Sequence, residues 1–301
     1  MANNATSNTA AIDLAEIAPR VGEWRRFRRV FLSRGLVVFG IVVIFLFLFV
    51  AIFAPLVAPY DPVEPDLNAT LQNPSTAHWL GTDSLGRDTL SRIIFGSRTS
   101  LEIGLIVVFF ACIIGITLGT IAGFYGSWLY TIIMRFIDAL MSFPMILLAL
   151  VIAALLGGGM KNVIISLSIA LMPGYARLMC GQVLSAKQND YILAARSMGA
   201  SNLRLMLRHI VPNCLSPIIV QITMMLGATI LAEAGLSFLS IGITPPTAAW
   251  GSMVSEARDY LAVFPILSFA PGMALMLVVF AFNMVGDGLR DALDPRLRGI
   301  L

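Results

Sequence analysis

An all-α polytopic membrane protein of about six transmembrane helices, with both ends inside, is the fold class this sequence predicts. Three observations carry it. Of 301 residues, 58% are hydrophobic and 12% charged, too apolar a balance for a soluble domain. The apolar residues gather into runs long enough to cross a bilayer. The basic residues divide three to one between the two sides once those runs are numbered as spans. Inside fall Arg20, Arg25, Arg26, Arg28, Arg29, Arg34, Arg135, Arg177, Lys187, Arg196, Arg204, Arg208, Arg290, Arg296 and Arg298. Outside fall Arg87, Arg92, Arg98, Lys161 and Arg258. The net charge of +3 is spread along membrane boundaries and is not a nucleic-acid signal.

Residues 1–34 read as a cytosolic segment, flexible over 1–19 and then arginine-rich. No cleavable signal peptide is expected, because the first apolar run is too long and lacks a small-residue cleavage site. That run, 35–58, has no charge and reads as the first transmembrane helix. At about 1.5 Å per residue it spans a ~30 Å core with some tilt. Residues 59–98 form an extracytoplasmic segment, acidic at first through Asp61, Glu64 and Asp66. It carries a short, capped amphipathic surface helix with Leu90, Ile93 and Ile94 on one side. Asp83 and Asp88 lack the spacing and the number of oxygen ligands a Ca²⁺ loop needs.

Residues 99–288 hold a core of about five further spans. The first, 101–124, sets Gly115, Gly119 and Gly123 four apart, a small-residue stripe for close helix packing. The next, 136–156, should kink at Pro144, and Arg135 and Asp138 near its start are spaced for a local ion pair. A span over 163–184 follows the tight turn GGGMKN and contains Arg177, placed to snorkel inward. A span over 217–241 is interrupted by Glu233 and Gly235, and the last covers 265–285. The tail after 289 is cytosolic, a charged surface helix stopped by Pro295. Cys112, Cys180 and Cys214 read as small packing residues rather than a disulfide or metal framework.

The polar island at 190–212, DYILAARSMGASNLRLMLRHIVP, stands out between two spans. Asp190 is placed to N-cap a helix over 191–198, and Gly199 occupies the position of a left-handed C′ residue. Ser201 offers a second N-cap, after which Leu203, Met206, Leu207 and Ile210 recur at helical spacing. Arg204 and Arg208 share a face of that helix, and Pro212 should end it. Ala194 and Ala195 are small enough to admit another surface. Two readings are open: an ordinary loop obeying the charge rule, or a docking knob.

In the order Ala194–Ala195, Gly199, Pro212, this island resembles the EAA loop of binding-protein-dependent ABC importer permeases. Leu193 stands where a Glu is common, so no ion pair is carried over from that position, and His209 replaces an aliphatic residue. The stretches 78–101 and 283–299 resemble the peptide/nickel branch of the same family, so the likeness covers about 78–299. It implies a type I ABC importer permease fold. It also implies an ATPase-coupling loop through Asp190, Ala194, Ala195, Gly199, Ala200, Ser201, Arg204, Arg208 and Pro212. The partners it implies are a homologous second permease, two ATPase subunits that bind ATP and Mg, and an extracytoplasmic substrate-binding protein. The place it implies is the bacterial cytoplasmic membrane.

No catalytic constellation is legible. Lys161 and Lys187 are followed by Asn and Gln, so no GxxxxGK[ST] phosphate cradle exists. His78 and His209 lie far apart, on opposite sides, which excludes a paired-histidine metal site, and no Ser sits in a G-x-S-x-G elbow. His78, beside Trp79, reads as a surface residue. Three functions remain: the membrane half of an ATP-driven importer, an ion-gradient-driven secondary transporter or channel, and a scaffold. The second needs an ionisable group near the midplane. Glu102, Asp138 and Glu233 are the carboxylates available, all near span ends.

Overall fold

A computed structural model describes residues 23–293, with side chains from Phe27 onward. The opening segment 1–22 and the tail from 294, with Pro295, Arg296 and Arg298, lie outside the described residues. A basic helix α1 (Glu23–Leu32) leads into α2 (Gly35–Ile52), which carries no charge. The predicted first span does not run straight to 58. It breaks at Phe53 and resumes as the short α3 (Ala54–Val57), with Pro55 in its first turn, where proline's missing N–H is harmless.

The surface helix expected in the outer segment does not exist as a separate element. Those residues are the first turns of α4 (Thr89–Tyr125), 37 residues long, and Ser91, Arg92 and Ile94 within it are buried. Its start is capped as the sequence suggests, with an Asp88 carboxylate oxygen accepting from the Ser91 N–H at 2.8 Å. Buried polar residues that are paired internally read, in one dimension, like a solvated face.

After α4 come α5 (Ser127–Met141) and α6 (Met145–Leu156), bent by 90° at Ser142–Pro144. The proline sterically disfavours helix at Phe143, so the chain turns there rather than kinking within one helix. The remaining long elements are α7 (Met160–Ala186), α10 (Val211–Phe238) and α12 (Ile266–Leu293). Between α7 and α10 lie α8 (Asp190–Ser197) and α9 (Asn202–Arg204), and α11 (Trp250–Glu256) follows α10. Neither Glu233 nor Gly235 interrupts α10, and α12 runs on to Leu293, through the first residues of the expected charged tail. Among the described residues five helices are long and apolar enough to cross a membrane, and the bent α5–α6 pair makes six.

The glycine stripe sets the closest packing. A Cβ on Gly115 would lie 2.8 Å from the Met172 carbonyl oxygen, and one on Gly123 would lie 2.9 Å from that of Cys180. At Gly119 it would collide with the Ala176 carbonyl oxygen. Rising numbers on α4 meet rising numbers on α7, so these two helices are parallel. The chain must therefore return across the membrane between them, and α5–α6 is that return. Gly227 meets Val279 and Phe282 while Gly286 meets Met224, which makes α10 and α12 antiparallel. Arg34 pairs with Asp291 at 2.7 Å, so both described ends lie at one end of the bundle.

Candidate functional site

The knob between α7 and α10 hangs at that same end. Lys187, just after α7, donates to the Phe124 carbonyl oxygen at 2.6 Å and sits 5.7 Å from that ring's centre. It thereby satisfies a carbonyl that the end of α4 leaves free. The helix after it begins one residue early: Asp190 is its first residue, and Asn189 is the cap, without a side-chain bond. Asp190 instead places a negative charge in the first turn, where the helix dipole favours it.

Gly199 turns the chain at φ +82°. Its N–H donates to the Arg196 carbonyl at 3.0 Å, and the Ala200 N–H donates to that of Ala195 at 3.1 Å. These two bonds make a Schellman stop, which needs a residue tolerant of positive φ at C′. Ser201 then caps the next turn, its hydroxyl accepting from the Arg204 N–H at 3.4 Å.

Pro212 does not end the second helix. Residues Leu205–Ile210 adopt π register, with the Val211 N–H donating to the Met206 carbonyl five residues back. Proline then falls in the first turn of α10. The wider register accommodates the absent donor and the ring. Helix therefore runs without a stop from Asn202 to Phe238.

That register also splits the predicted apolar stripe. Leu205, Met206 and Ile210 are buried, whereas Leu203 and Leu207 are 63% and 62% exposed. Ile192 and Ala195 pack inward from α8, and Ala194 faces out with Tyr191 and Leu193. Met198, at the elbow, is 81% exposed. Arg196, Arg204 and Arg208 are exposed beside these apolar groups and make no ion pair among the described residues. The knob's outer surface is therefore apolar with basic spots. Asn213 ties the two halves, donating to the His209 carbonyl at 2.6 Å and to the Tyr191 hydroxyl at 3.4 Å.

The opposite end carries a buried charge cluster that sequence reasoning missed. Arg87 donates to Asp83 at 2.7 Å and to Glu256 at 2.9 Å. Arg92 grips both Glu256 oxygens, at 2.7 and 3.2 Å, and bonds Asp83 as well. Glu256 lies more than 160 residues away in sequence, so no local spacing could signal it. The cluster and the Trp250 indole, which donates to the Ile93 carbonyl at 3.0 Å, fasten α11 to the start of α4. His78, expected at the surface, is partly buried against Asp88 at 3.0 Å.

The local Arg135–Asp138 pair does not form. Asp138 bonds Arg177 on α7 instead, so Arg177 has a protein partner. Glu233 is fully buried, accepting from Ser237 at 2.7 Å and Ser100 at 3.4 Å.

Comparison with known proteins agrees with this geometry. Residues 115–299 match the family model described as binding-protein-dependent transport system inner membrane component. Residues 22–74 match the N-terminal TM domain of oligopeptide transport permease C. The dipeptide transport system permease protein DppC of Alkalihalophilus pseudofirmus is 42% identical over 92% of this chain and 91% of its own. The glutathione transport system permease protein GsiD of Pectobacterium atrosepticum is 45% identical over 91% and 92%. GsiD of an Escherichia coli strain is 46% identical over 92% and 90%. An inward-facing structure of the MetNI methionine ABC transporter shares the fold, with TM-score 0.58 and 18% identity over 68% of this chain and 97% of its own. A multi-pass helical bundle with these likenesses is no enzyme: the chain belongs to the family of inner-membrane permease components of binding-protein-dependent transport systems.

Proposed function

We infer that this chain is one permease subunit of an ATP-driven importer in the bacterial cytoplasmic membrane, and that the 190–212 knob is its coupling element. The observation that carries this is the exposed apolar and basic surface of the knob, continuous with α10. Large exposed apolar groups beside unpaired cations mark a protein interface. A force applied at Leu203 or Leu207 enters α10 directly, since helix is unbroken from Asn202 onward.

The partners are a homologous second permease, two ATPase subunits and an extracytoplasmic binding protein. ATP binding closes the ATPase dimer and swings the knob. The spans then open outward to receive solute, and hydrolysis returns them inward. The transported solutes are small peptides, the class to which the names of the dipeptide and glutathione relatives point. The buried Glu233 is the one observation favouring an ion-coupled transporter, because an ionisable group inside a span suggests a proton or ion path. Its bonds to two serines provide a structural reason for its place.

Met198→Asp combined with Leu203→Asp tests the knob. Both side chains are exposed, so the chain should fold and reach the membrane as before. Two carboxylates in an apolar interface should lower retention of co-purified ATPase by on the order of tenfold or more and abolish solute-stimulated ATP hydrolysis. Full retention of the ATPase with wild-type stimulation refutes the assignment.

A further inference from the structure

A cavity of about 710 Å³ lies beside the knob, between α7, α10 and α12. Its walls carry Gln182, Asn213, Ser216, Gln221 and Arg290 among apolar side chains, and among the described residues no carboxylate, histidine or cysteine lines it. Asn213, Ser216 and Gln221 run up one side of α10. Gln221 is about 15 Å above the inner end of that helix, on the order of half the ~30 Å hydrocarbon thickness. The side chains of Gln182 and Gln221 have no hydrogen-bond partner among the described residues. An amide at that depth facing lipid would forfeit its hydrogen bonds at a cost of several kcal/mol, so it calls for water or solute opposite it.

Among the described residues the charged side chain in the cavity wall is a cation. Arg290 has no ion-pair partner among the described residues and stands where the cavity meets the inner end of the bundle. A guanidinium in the wall of a polar cleft favours anions and matches a carboxylate in two-point geometry. Side-chain amides offer both a donor and an acceptor to a peptide group. A bare metal cation finds no ligand set there among the described residues.

We propose that this cavity is the inner vestibule of the solute path and takes a small solute bearing a carboxylate and amide groups. Arg290 pairs with the carboxylate, and Gln182 and Gln221 meet the amides. The identity of the solute as a peptide rests on the importer reading above, whereas the aqueous, anion-favouring character rests on the cavity alone. Asn213 belongs both to the wall and to the knob's hydrogen bonds, so a movement of the knob reshapes the wall.

The test labels Gln221→Cys in the assembled complex, in inside-out vesicles, with two membrane-impermeant methanethiosulfonates, one anionic and one cationic. The unmutated chain, whose three cysteines are buried, is the blank. The introduced thiol should react from the inner face. Relative to a free thiol in solution, the anionic reagent should be favoured severalfold, and adding Arg290→Gln should remove that preference. No reaction from the inner face overturns the vestibule, since lipid or the second permease then fills it. Reaction without anion preference, or with a preference that survives Arg290→Gln, overturns the carboxylate assignment. Labelling requires neither ATP nor transport, so it stands or falls separately from the ATP-driven reading.

Discussion

Gly119→Leu should prevent the chain from accumulating as a folded protein. A Cβ at this position collides with the Ala176 carbonyl oxygen and comes within 2.9 Å of Met179 Cβ. The first of these is backbone and cannot swing aside, so α4 and α7 must separate along the stripe formed with Gly115 and Gly123. Overpacking of this kind costs about 1–3 kcal/mol or more, and a leucine adds three carbons beyond the Cβ. In membranes helix association depends on such close van der Waals contact, because lipid is as apolar as leucine. Gly181, on α7, has nothing within 4 Å of its Cβ. Gly181→Ala should therefore be neutral or slightly stabilising, by up to about 1 kcal/mol from helix propensity. The yield of monodisperse protein after detergent extraction distinguishes them: low for Gly119→Leu, normal for Gly181→Ala. Equal yields would mean that the stripe does not set the packing.

Arg92→Ala should be the most damaging change at the outer end. It leaves Asp83 and Glu256, two carboxylates, to share Arg87. Removing one partner of a buried ion pair costs about 3–5 kcal/mol, and the lower figure is expected here because Glu256 keeps some solvent contact. On the usual scaling the melting temperature in detergent should fall by about 10 °C. Arg92→Lys should recover part of the loss, keeping the charge but not the two-point grip on Glu256. Arg98→Ala, at an exposed position on the same helix, should leave the melting temperature unchanged. A fall no larger for Arg92→Ala than for Arg98→Ala would show that the cluster contributes nothing to fastening α11.

The spans were legible because lipid demands long apolar runs, and the knob because Gly199 and Ser201 are local signals of a stop and a start. What failed was whatever depended on partners distant in sequence. Arg87 and Arg92 read as surface charge until Glu256 is folded against them. Arg135 and Asp138 had the right spacing, yet Arg177 on another helix takes the carboxylate. Proline misled at two positions in opposite ways. At Pro144 the chain breaks more sharply than a kink, whereas at Pro212 a π turn carries the helix onward. Of the four residues that spacing put in one stripe, Met206 and Ile210 are buried while Leu203 and Leu207 face outward, a division that spacing alone does not show.

The central claim is that a partner's nucleotide chemistry, reaching this chain through its knob, drives transport. Solute accumulation in proteoliposomes tests it most directly, comparing the full complex with the isolated chain, each with and without ATP and with and without an ion gradient. Accumulation should require the ATPase and ATP together and be indifferent to the gradient. Accumulation by the isolated chain under a gradient, with no nucleotide present, would contradict it.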